Sequence, residues 1–373
     1  MTGKIKKTFE EIDRPFLFVV LALLCIGLMM IASAGVLYGE TRFGDSYFFF
    51  KRQLIGFSLG LALMYLFSRI SYHLWRPLAV PVFIIALVLL ILVFIPGIGT
   101  TAYGAARWIE LGPISFQPSE VMKLGIIFYL SAWLAGKDKK KTEDLYEGFI
   151  PFLVVLILVA FLILKQPDTG TLFLIFGMAL SIFFYSGANL LHIGGMLGVA
   201  GVTFLILLKT APYRMQRFLV FMNPEHDPQG FGYQMTQALV AIGSGGLFGV
   251  GLGYSRQKFN YLPEPVTDSI FAVFGEEFGF IGAFVLIALF VFLALRGIRI
   301  ARNAPDRFGE LLGIGIISWI TIQAFVNISA ISGLIPLTGV PLPFVSYGGT
   351  SLAVLLSAVG ILLNISRQAK LKM

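Results

Sequence analysis

Long apolar runs alternate with short polar segments along almost the whole chain. A helix needs about 20 apolar residues to cross roughly 30 Å of hydrocarbon. The pattern predicts an all-α polytopic membrane protein with ten transmembrane helices and a long loop, 210–268, between helices seven and eight. The predicted helices lie near 15–37, 53–70, 74–95, 118–136, 149–164, 170–187, 189–209, 269–295, 311–332 and 349–366.

Composition supports a membrane protein and excludes several kinds of site. The 373 residues are 57% hydrophobic and 13% charged, against roughly 25% charged residues in soluble domains. The single cysteine excludes disulfides and cysteine-based metal centres, and the three histidines form no metal-binding motif. The glycine-rich string GSGGLFGVGLG (243–253) follows no strand and has no GxGxxG register. We therefore expect no nucleotide site.

The distribution of Lys and Arg predicts the orientation, because short cytoplasmic loops are enriched in these residues. The KDKKK cluster (137–141) and the GIRIARNAPDR loop (297–307) fall on the inner side when both termini are cytoplasmic. The net charge of +8 then reflects topology, with no need for nucleic acid. We expect one integral membrane domain, 1–373, with cytoplasmic tails at 1–14 and 367–373.

Four loops are predicted on the outer side, at 96–118, 165–171, 210–268 and 333–349. Within the long loop, small and apolar residues recur at helical spacing from Gln234 to Gly253, with Gly245 and Gly249 four apart. Such a segment lies on or dips into the bilayer, and its glycines allow close backbone approach.

Two pairs of charges near the outer boundary are candidates for the site. Glu120 and Lys123 share a helix face and are expected to pair at a depth where a lone charge is costly. A simple interaction of the Glu120 carboxylate with the positive end of the helix dipole explains the position of Glu120 as well as a substrate site does. Lys165 and Asp168 bracket a tight turn, where a carboxylate that caps the next helix is slightly favoured over a site role.

Asp268 is the strongest candidate for the reacting group. It lies where the polar long loop meets the eighth predicted helix, while Glu276 and Glu277 lie deeper and need partners or protonation. A carboxylate at the aqueous boundary is suited to act as a base on a membrane-bound substrate. The alternative is a carboxylate that caps the eighth helix, and the sequence leaves both open.

Several motifs, in order, resemble one family. RWIELGPISFQPSE (107–120), KQPDTGT (165–171), YRMQRFLVFMNPEHDPQGFGYQ (213–234), LPEPVTDSIFAVFGEEFG (262–279) and PLPFVSYGGTS (341–351) are similar to motifs of the SEDS family of FtsW, RodA and SpoVE. The resemblance covers almost the whole chain. QKFNYLPEP and GAARWIELGP look more like the FtsW and SpoVE branch than the RodA branch.

The resemblance implies a peptidoglycan glycosyltransferase of the bacterial cytoplasmic membrane. It would polymerise lipid II, an undecaprenyl-pyrophosphate-linked disaccharide pentapeptide, outside that membrane during cell division or shaping, with a class B penicillin-binding protein as partner. Asp268 matches the essential aspartate of the family, Glu120 and Lys123 its paired charges, and Asp168 its acidic turn residue. Two departures are Val266, where members often have histidine, and Ala106, where many have a basic or polar residue.

As a hypothesis, Asp268 accepts the proton of the acceptor sugar's 4-hydroxyl as this attacks the donor's anomeric carbon. Nearby cations would stabilise the leaving pyrophosphate. Seven cations are available, namely Arg107, Lys123, Lys165, Arg214, Arg217, Arg256 and Lys258. Further supporting residues in the motifs are Gln117, Ser119 and Ser346.

Two other classes remain open, a flippase for lipid-linked sugars and a noncatalytic scaffold of the division machinery. A flippase has little need for so much polar sequence on one outer face, whereas a polymerase must hold two sugars there. No cofactor is expected, and a divalent cation is left open because the sequence shows no complete ligand cluster. Membrane lipids are the remaining expected contacts.

Overall fold

The computed structural model describes residues 12–102, 105–111, 114–210, 212–259 and 261–369. The ends of both predicted cytoplasmic tails lie outside the described residues, and with them the cations Lys4, Lys6, Lys7, Lys370 and Lys372. Most of the described chain is helical.

The described residues from 12 to 143 form five α-helices. Asp13 caps the first of them, because its carboxylate accepts a hydrogen bond from the amide of Phe16 at 3.0 Å. Asp13 also forms an ion pair with the guanidinium of Arg296 at 2.9 Å, which ties the start of the first helix to the helix that carries Arg296. The helices are α1 (Arg14–Phe43), α2 (Phe48–Arg69), α3 (Trp75–Leu92), α4 (Pro118–Ala135) and α5 (Lys139–Glu143).

A small antiparallel sheet lies between α3 and α4, so the expectation of an all-α protein is wrong for this loop. Its strands are β1 (Gly99–Ala102), β2 (Ala105–Leu111) and β3 (Ile114–Phe116), in the order β1-β2-β3. Ile109 pairs with Phe116 and is buried. Strands this short carry too few alternating positions for the period of two to be recognised in the sequence.

Eight further α-helices follow in the described residues. Six of them lie where spans are predicted, and the long loop contains the other two, α9 and α10. The helices are α6 (Ile150–Lys165), α7 (Thr169–Tyr185), α8 (Leu190–Thr210), α9 (Pro212–Met222), α10 (Phe231–Ser244), α11 (Ile270–Arg302), α12 (Arg307–Ile331) and α13 (Gly349–Gln368).

A helix occupies each of the ten places where a span is predicted. Within the described ranges, seven helices are long and apolar enough to cross a membrane by length and composition, and α7 is a shorter apolar helix. The protein is therefore a multi-pass membrane protein. The total of ten spans stays a prediction.

The core lies around α4, α12 and α13. Trp319 of α12 and Phe128 of α4 are among the largest fully buried side chains. By contrast, only 6% of the α8 span is buried, and its apolar side chains face outward. A helix that is apolar all round and exposed on the protein surface is suited to lipid contact.

The long loop reaches into the fold where α11 is broken at Gly279, whose φ of 66° and ψ of −166° are not helical. The segment after α10 supplies the missing hydrogen bonds: the amide of Phe280 donates to the carbonyl of Gly246 at 2.8 Å, and the amide of Val250 donates to the carbonyl of Glu276 at 3.0 Å. Irregular backbone at membrane depth requires such pairing. The prediction of a glycine-mediated approach is confirmed at Gly249, which packs against the α11 backbone.

Candidate functional site

Asp268 is half-buried and lies two residues before α11. Its Oδ2 accepts a hydrogen bond from Nε2 of Gln234 at 3.3 Å, and its Oδ1 accepts one from the Thr267 hydroxyl at 3.3 Å. The N-cap of α11 is Ser269, and no side chain caps the helix. The alternative role of Asp268 as a helix cap is therefore wrong, and its carboxylate is directed to the long loop.

Two side chains from other parts of the chain fix the backbone around Asp268. Asn327 of α12 donates to the carbonyl of Asp268 at 2.8 Å and to the carbonyl of Val340 at 2.7 Å. The hydroxyl of Ser346 donates to the carbonyl of Thr267 at 2.5 Å and accepts from the amide of Leu342 at 2.8 Å. The PLPFVSYGG loop thus holds the segment that carries the carboxylate.

The surroundings of Asp268 make it a weaker acid than a solvent-exposed aspartic acid. Burial and then the nearby Glu264 carboxylate raise the pKa of Asp268 to about 6, while Arg217 and the hydrogen bond from Gln234 act in the opposite direction. A carboxylate with a pKa near the working pH is an effective general base.

Arg217 of α9 interacts electrostatically with carboxylates from two different loops. Its guanidinium interacts electrostatically with both Asp268 and Asp168, and burial lowers its pKa while these carboxylates oppose that effect. The guanidinium lies 4.6 Å from the ring centre of Phe231, and its Nη1 donates to the carbonyl of Leu337 at 3.2 Å. The planar guanidinium of Arg217 can bind an anionic group of a substrate through two parallel hydrogen bonds.

Asp168 caps α7, as the sequence favoured. Its carboxylate accepts from the amide and the hydroxyl of Thr171 at 3.1 and 2.8 Å. Gln117 also donates to it, at 3.2 Å. Arg107 donates to the carbonyl of Gln166 at 2.9 Å and to that of Pro167. Arg107, which the sequence offered as one of seven candidate cations for the pyrophosphate, therefore stabilises this turn.

Glu120 and Lys123 form the predicted pair, with 2.8 Å between Lys123 Nζ and Glu120 Oε1, and their side chains are 5% and 1% exposed. Lys123 also donates to Gln323 Oε1 at 3.2 Å, and Ser351 donates to Glu120 at 2.9 Å. Gln323 in turn donates to the carbonyl of Pro341 at 2.9 Å. The pair thus supports the PLPFVSYGG loop from below.

Lys258 and the two deep carboxylates form a second buried network. Lys258 Nζ lies 2.8 Å from Glu277 Oε1 and donates to Ser33 at 2.9 Å. Glu276 accepts hydrogen bonds from the Ser255 hydroxyl at 2.5 Å and the Arg256 amide at 2.9 Å. The expectation that these carboxylates need partners is confirmed. A cleft of about 370 Å³ lies beside Lys258, lined by apolar residues of α1 and the long loop.

The remaining predicted site residues lie apart from Asp268 or at its edge. Lys165 is exposed, with its Nζ 5.7 Å from the ring centre of Phe161, and Arg256 is exposed as well. Arg214 donates to the Tyr213 hydroxyl at 3.0 Å. Ser119 is fully buried, and its hydroxyl has no hydrogen-bond partner among the described residues.

A family model described as "Cell cycle protein" and named for FtsW, RodA and SpoVE matches residues 14–371. The chain belongs to this family. Stage V sporulation protein E of Bacillus subtilis is 45% identical over 96% of this chain and 98% of its own length. The probable peptidoglycan glycosyltransferase FtsW of Geobacter metallireducens is 43% identical over 98% and 97%.

Solved structures with the same fold support the membership of this family. A chain of a peptidoglycan synthase complex that coordinates polymerisation and crosslinking superimposes with a TM-score of 0.78 at 27% identity, covering 97% of this chain and 99% of that one. The rod shape determining protein RodA of Thermus thermophilus gives 0.71 at 27% identity, covering 97% and 98%. The RodA-like helical fold is thereby confirmed.

For this FtsW/RodA/SpoVE chain, the sequence missed three side chains that shape the site: Gln234, Asn327 and Gln323. Each is neutral and lies in an apolar segment, 34, 59 and 200 residues from its partner. A polar amide within an apolar helix is the one available signal, because a buried amide needs partners. The partners themselves are decided by helix packing.

Proposed function

We propose that this protein is a peptidoglycan glycosyltransferase that polymerises lipid II into glycan strands at the outer face of the bacterial cytoplasmic membrane. The observation that carries the proposal is the half-buried Asp268, whose pKa is raised to about 6 and whose carboxylate interacts electrostatically with the Arg217 guanidinium. A base and a cation in one electrostatic environment meet the needs of glycosyl transfer from a pyrophosphate donor.

In the proposed reaction, Asp268 takes the proton from the 4-hydroxyl of the acceptor sugar. The hydroxyl oxygen forms a bond to the donor's anomeric carbon, and the bond from that carbon to the pyrophosphate oxygen breaks. Undecaprenyl pyrophosphate leaves with the electron pair, and configuration inverts. Negative charge that develops on the pyrophosphate is stabilised by cations already in place.

The structure supports different roles for the predicted cations. Arg217 interacts with Asp268 and is the best placed to bind pyrophosphate. Lys123, Lys258 and Arg107 are used within the protein, by Glu120, by Glu277 and by turn carbonyls respectively. These three would therefore support the site from beneath, with Arg214 at its edge.

The topology belongs to the same proposal. Both termini lie in the cytoplasm, ten helices span the membrane as one integral domain, and the long loop with α9 and α10 lies outside. The basic clusters at 137–141 and 297–307 support this orientation.

The proposed partner is a class B penicillin-binding protein, and the role lies in cell division or cell shape. A structural neighbour of this chain belongs to a peptidoglycan synthase complex that coordinates polymerisation with crosslinking, which supports a crosslinking partner here.

The deciding experiment gives purified protein lipid II on the outer leaflet of vesicles and separates the products by gel. We expect the parent protein to produce a ladder of glycan chains, at rates that differ with and without the class B partner. We expect Asp268→Asn to produce no chains. Glu225→Gln, an exposed carboxylate change in the same loop, is the matched control. A parental rate for Asp268→Asn would overturn the role of Asp268 as base.

The vesicle assay separates the enzyme from a flippase, because a flippase would move lipid II across the bilayer and make no chains. Growth of cells that carry Asp268→Asn separates the enzyme from a scaffold, because a scaffold would tolerate this change. A requirement for a divalent cation stays a prediction, tested by EDTA followed by added Mg²⁺. Among the described residues, no three His, Cys, Asp or Glu side chains are grouped to hold a metal.

A further inference from the structure

Gln234 is the one side chain of α10 that reaches the Asp268 carboxylate. Its Nε2 lies 3.3 Å from Asp268 Oδ2 and 3.2 Å from the Ser269 hydroxyl oxygen. An ionised carboxylate only accepts hydrogen bonds, so the amide must present its NH₂ group to Asp268. The donor is neutral and does not titrate.

The two carboxylate oxygens of Asp268 are held unequally. Oδ2 accepts from the Gln234 amide, whereas the side chain that donates to Oδ1 is the Thr267 hydroxyl, at 3.3 Å. That hydroxyl has a single proton, and Glu264 Oε2 competes for it at 3.1 Å. The backbone amide of Asp268 itself also donates to the carboxylate. Of the two oxygens, Oδ1 has the weaker side-chain donor and is therefore the better placed to accept a proton from a substrate hydroxyl.

Gln234 itself stands on an element that is fixed against α11. The chain that leaves α10 pairs with the break in α11 through the bonds of Phe280 to Gly246 and of Ile281 to Leu247, at 2.8 and 3.1 Å. A group that orients a reacting atom works best from such a rigid support. The segment after α10 thus fixes α10 against α11, and α10 in turn places Gln234 beside the Asp268 carboxylate.

We propose that Gln234 is a positioning residue for the reaction: its amide holds Oδ2 of Asp268 so that Oδ1 faces the acceptor hydroxyl. This inference rests on the proposed glycosyltransferase function. Gln234 takes no part in bond making and acts through Asp268 alone.

The variant Gln234→Met keeps the length of the side chain and removes the donor. We expect kcat to fall by about tenfold to a hundredfold, since misplacement of a reacting group by about 1 Å can cost about a hundredfold in rate, with KM for lipid II unchanged. Losing a donor to the carboxylate also raises the pKa of Asp268. The acid limb of the pH–rate profile should therefore move to higher pH.

The groups that shift the pKa of Asp268, and with it the acid limb of the pH–rate profile, come from several elements. Glu264 of the same loop raises its pKa, Arg217 of α9 lowers it, and Asn327 of α12 is neutral. A second variant, Gln234→Glu, keeps the shape and adds a negative charge, so its limb should move further than that of Gln234→Met. Gln229→Met, an exposed change just before α10, should leave rate and profile as in the parent.

Asp268→Asn in the same assay separates the two claims. A parental rate in Asp268→Asn overturns the proposed base. An inactive Asp268→Asn together with a folded Gln234→Met or Gln234→Glu that has the parental kcat and pH limb overturns the positioning role alone. Thermal melting of each purified variant shows which proteins are folded, and the isosteric Gln234→Glu decides the matter if Gln234→Met is unfolded.

Discussion

Lys123 and Glu120 form an ion pair of 2.8 Å with almost no exposure, and both partners reach beyond their own helix. Lys123 contacts Gln323 of α12, and Glu120 accepts from Ser351 of α13. A charge buried in a membrane protein is tolerated when it is paired and hydrogen-bonded. This pair therefore joins three helices beneath the loop that holds Asp268.

Breaking that pair should be as harmful as removing it. Glu120→Gln or Lys123→Met alone leaves one buried charge without a partner, which costs about 3–5 kcal/mol. We expect each single variant to lose at least as much stability and activity as the double variant. Thermal melting in detergent and lipid II polymerisation measure both, and independent, additive losses would contradict the pairing.

The rate of polymerisation should fall as the pH is lowered through about 6, because Asp268 must be ionised to accept a proton. Glu264 raises the pKa of Asp268, so Glu264→Gln should lower that pKa and move the acid limb of the pH–rate profile to lower pH. A pH–rate profile of both proteins checks the direction. A limb that moves upward in Glu264→Gln would count against Asp268 as the titrating base.

The two arginines of α9 should differ. Arg217 interacts with Asp268, whereas Arg214 donates to Tyr213 at 3.0 Å and lies 5.3 Å from the centre of that ring. We expect Arg217→Met to lose on the order of a hundredfold in kcat/KM, a typical effect of removing a group that stabilises the transition state. Arg214→Met should lose far less. Equal losses of kcat/KM in the two variants would contradict a specific role of Arg217 in binding pyrophosphate.

Lys258 and Lys165 are a matched pair of cations with different surroundings. Lys258 is 6% exposed and paired with Glu277, whereas Lys165 is exposed. Lys258→Met should destabilise the protein by about 3–5 kcal/mol through the orphaned Glu277, and Lys165→Met should leave stability and polymerisation near the parental values. Thermal melting and the gel assay check both. A strong loss of activity in Lys165→Met would show that this exposed cation binds substrate.

The break in α11 depends on glycine. Gly279 has a φ of 66°, and a Cβ there would overlap the amide nitrogen of Gly249. Gly279→Ala should therefore lower the yield of folded protein and its melting temperature. Gly198→Ala in α8 is the control, since no atom lies within 4 Å of its Cβ position. A parental melting temperature in Gly279→Ala would mean that α11 can straighten.

The positions of the long apolar helices were predictable because bilayer thickness imposes a length on every crossing helix, and an apolar run of that length is visible in the sequence. Pro118 and Pro151 stand at helix starts, where the missing amide costs nothing. The three-stranded sheet and the break at Gly279 were not predictable. Short strands give little pattern, and a broken helix looks continuous when its glycine lies in an apolar run.

By itself, the sequence predicted that the chain is a membrane protein, that Glu120 and Lys123 pair, and that Asp268 is the strongest candidate among the carboxylates. Local spacing and the cost of unpaired charge in lipid suffice for these inferences. Only the tertiary structure decided that Arg217 interacts electrostatically with both Asp268 and Asp168 and that Gln234 and Asn327 bind the segment that carries Asp268. Those contacts depend on how distant helices pack, and helix packing is set by surfaces that no short stretch of sequence contains.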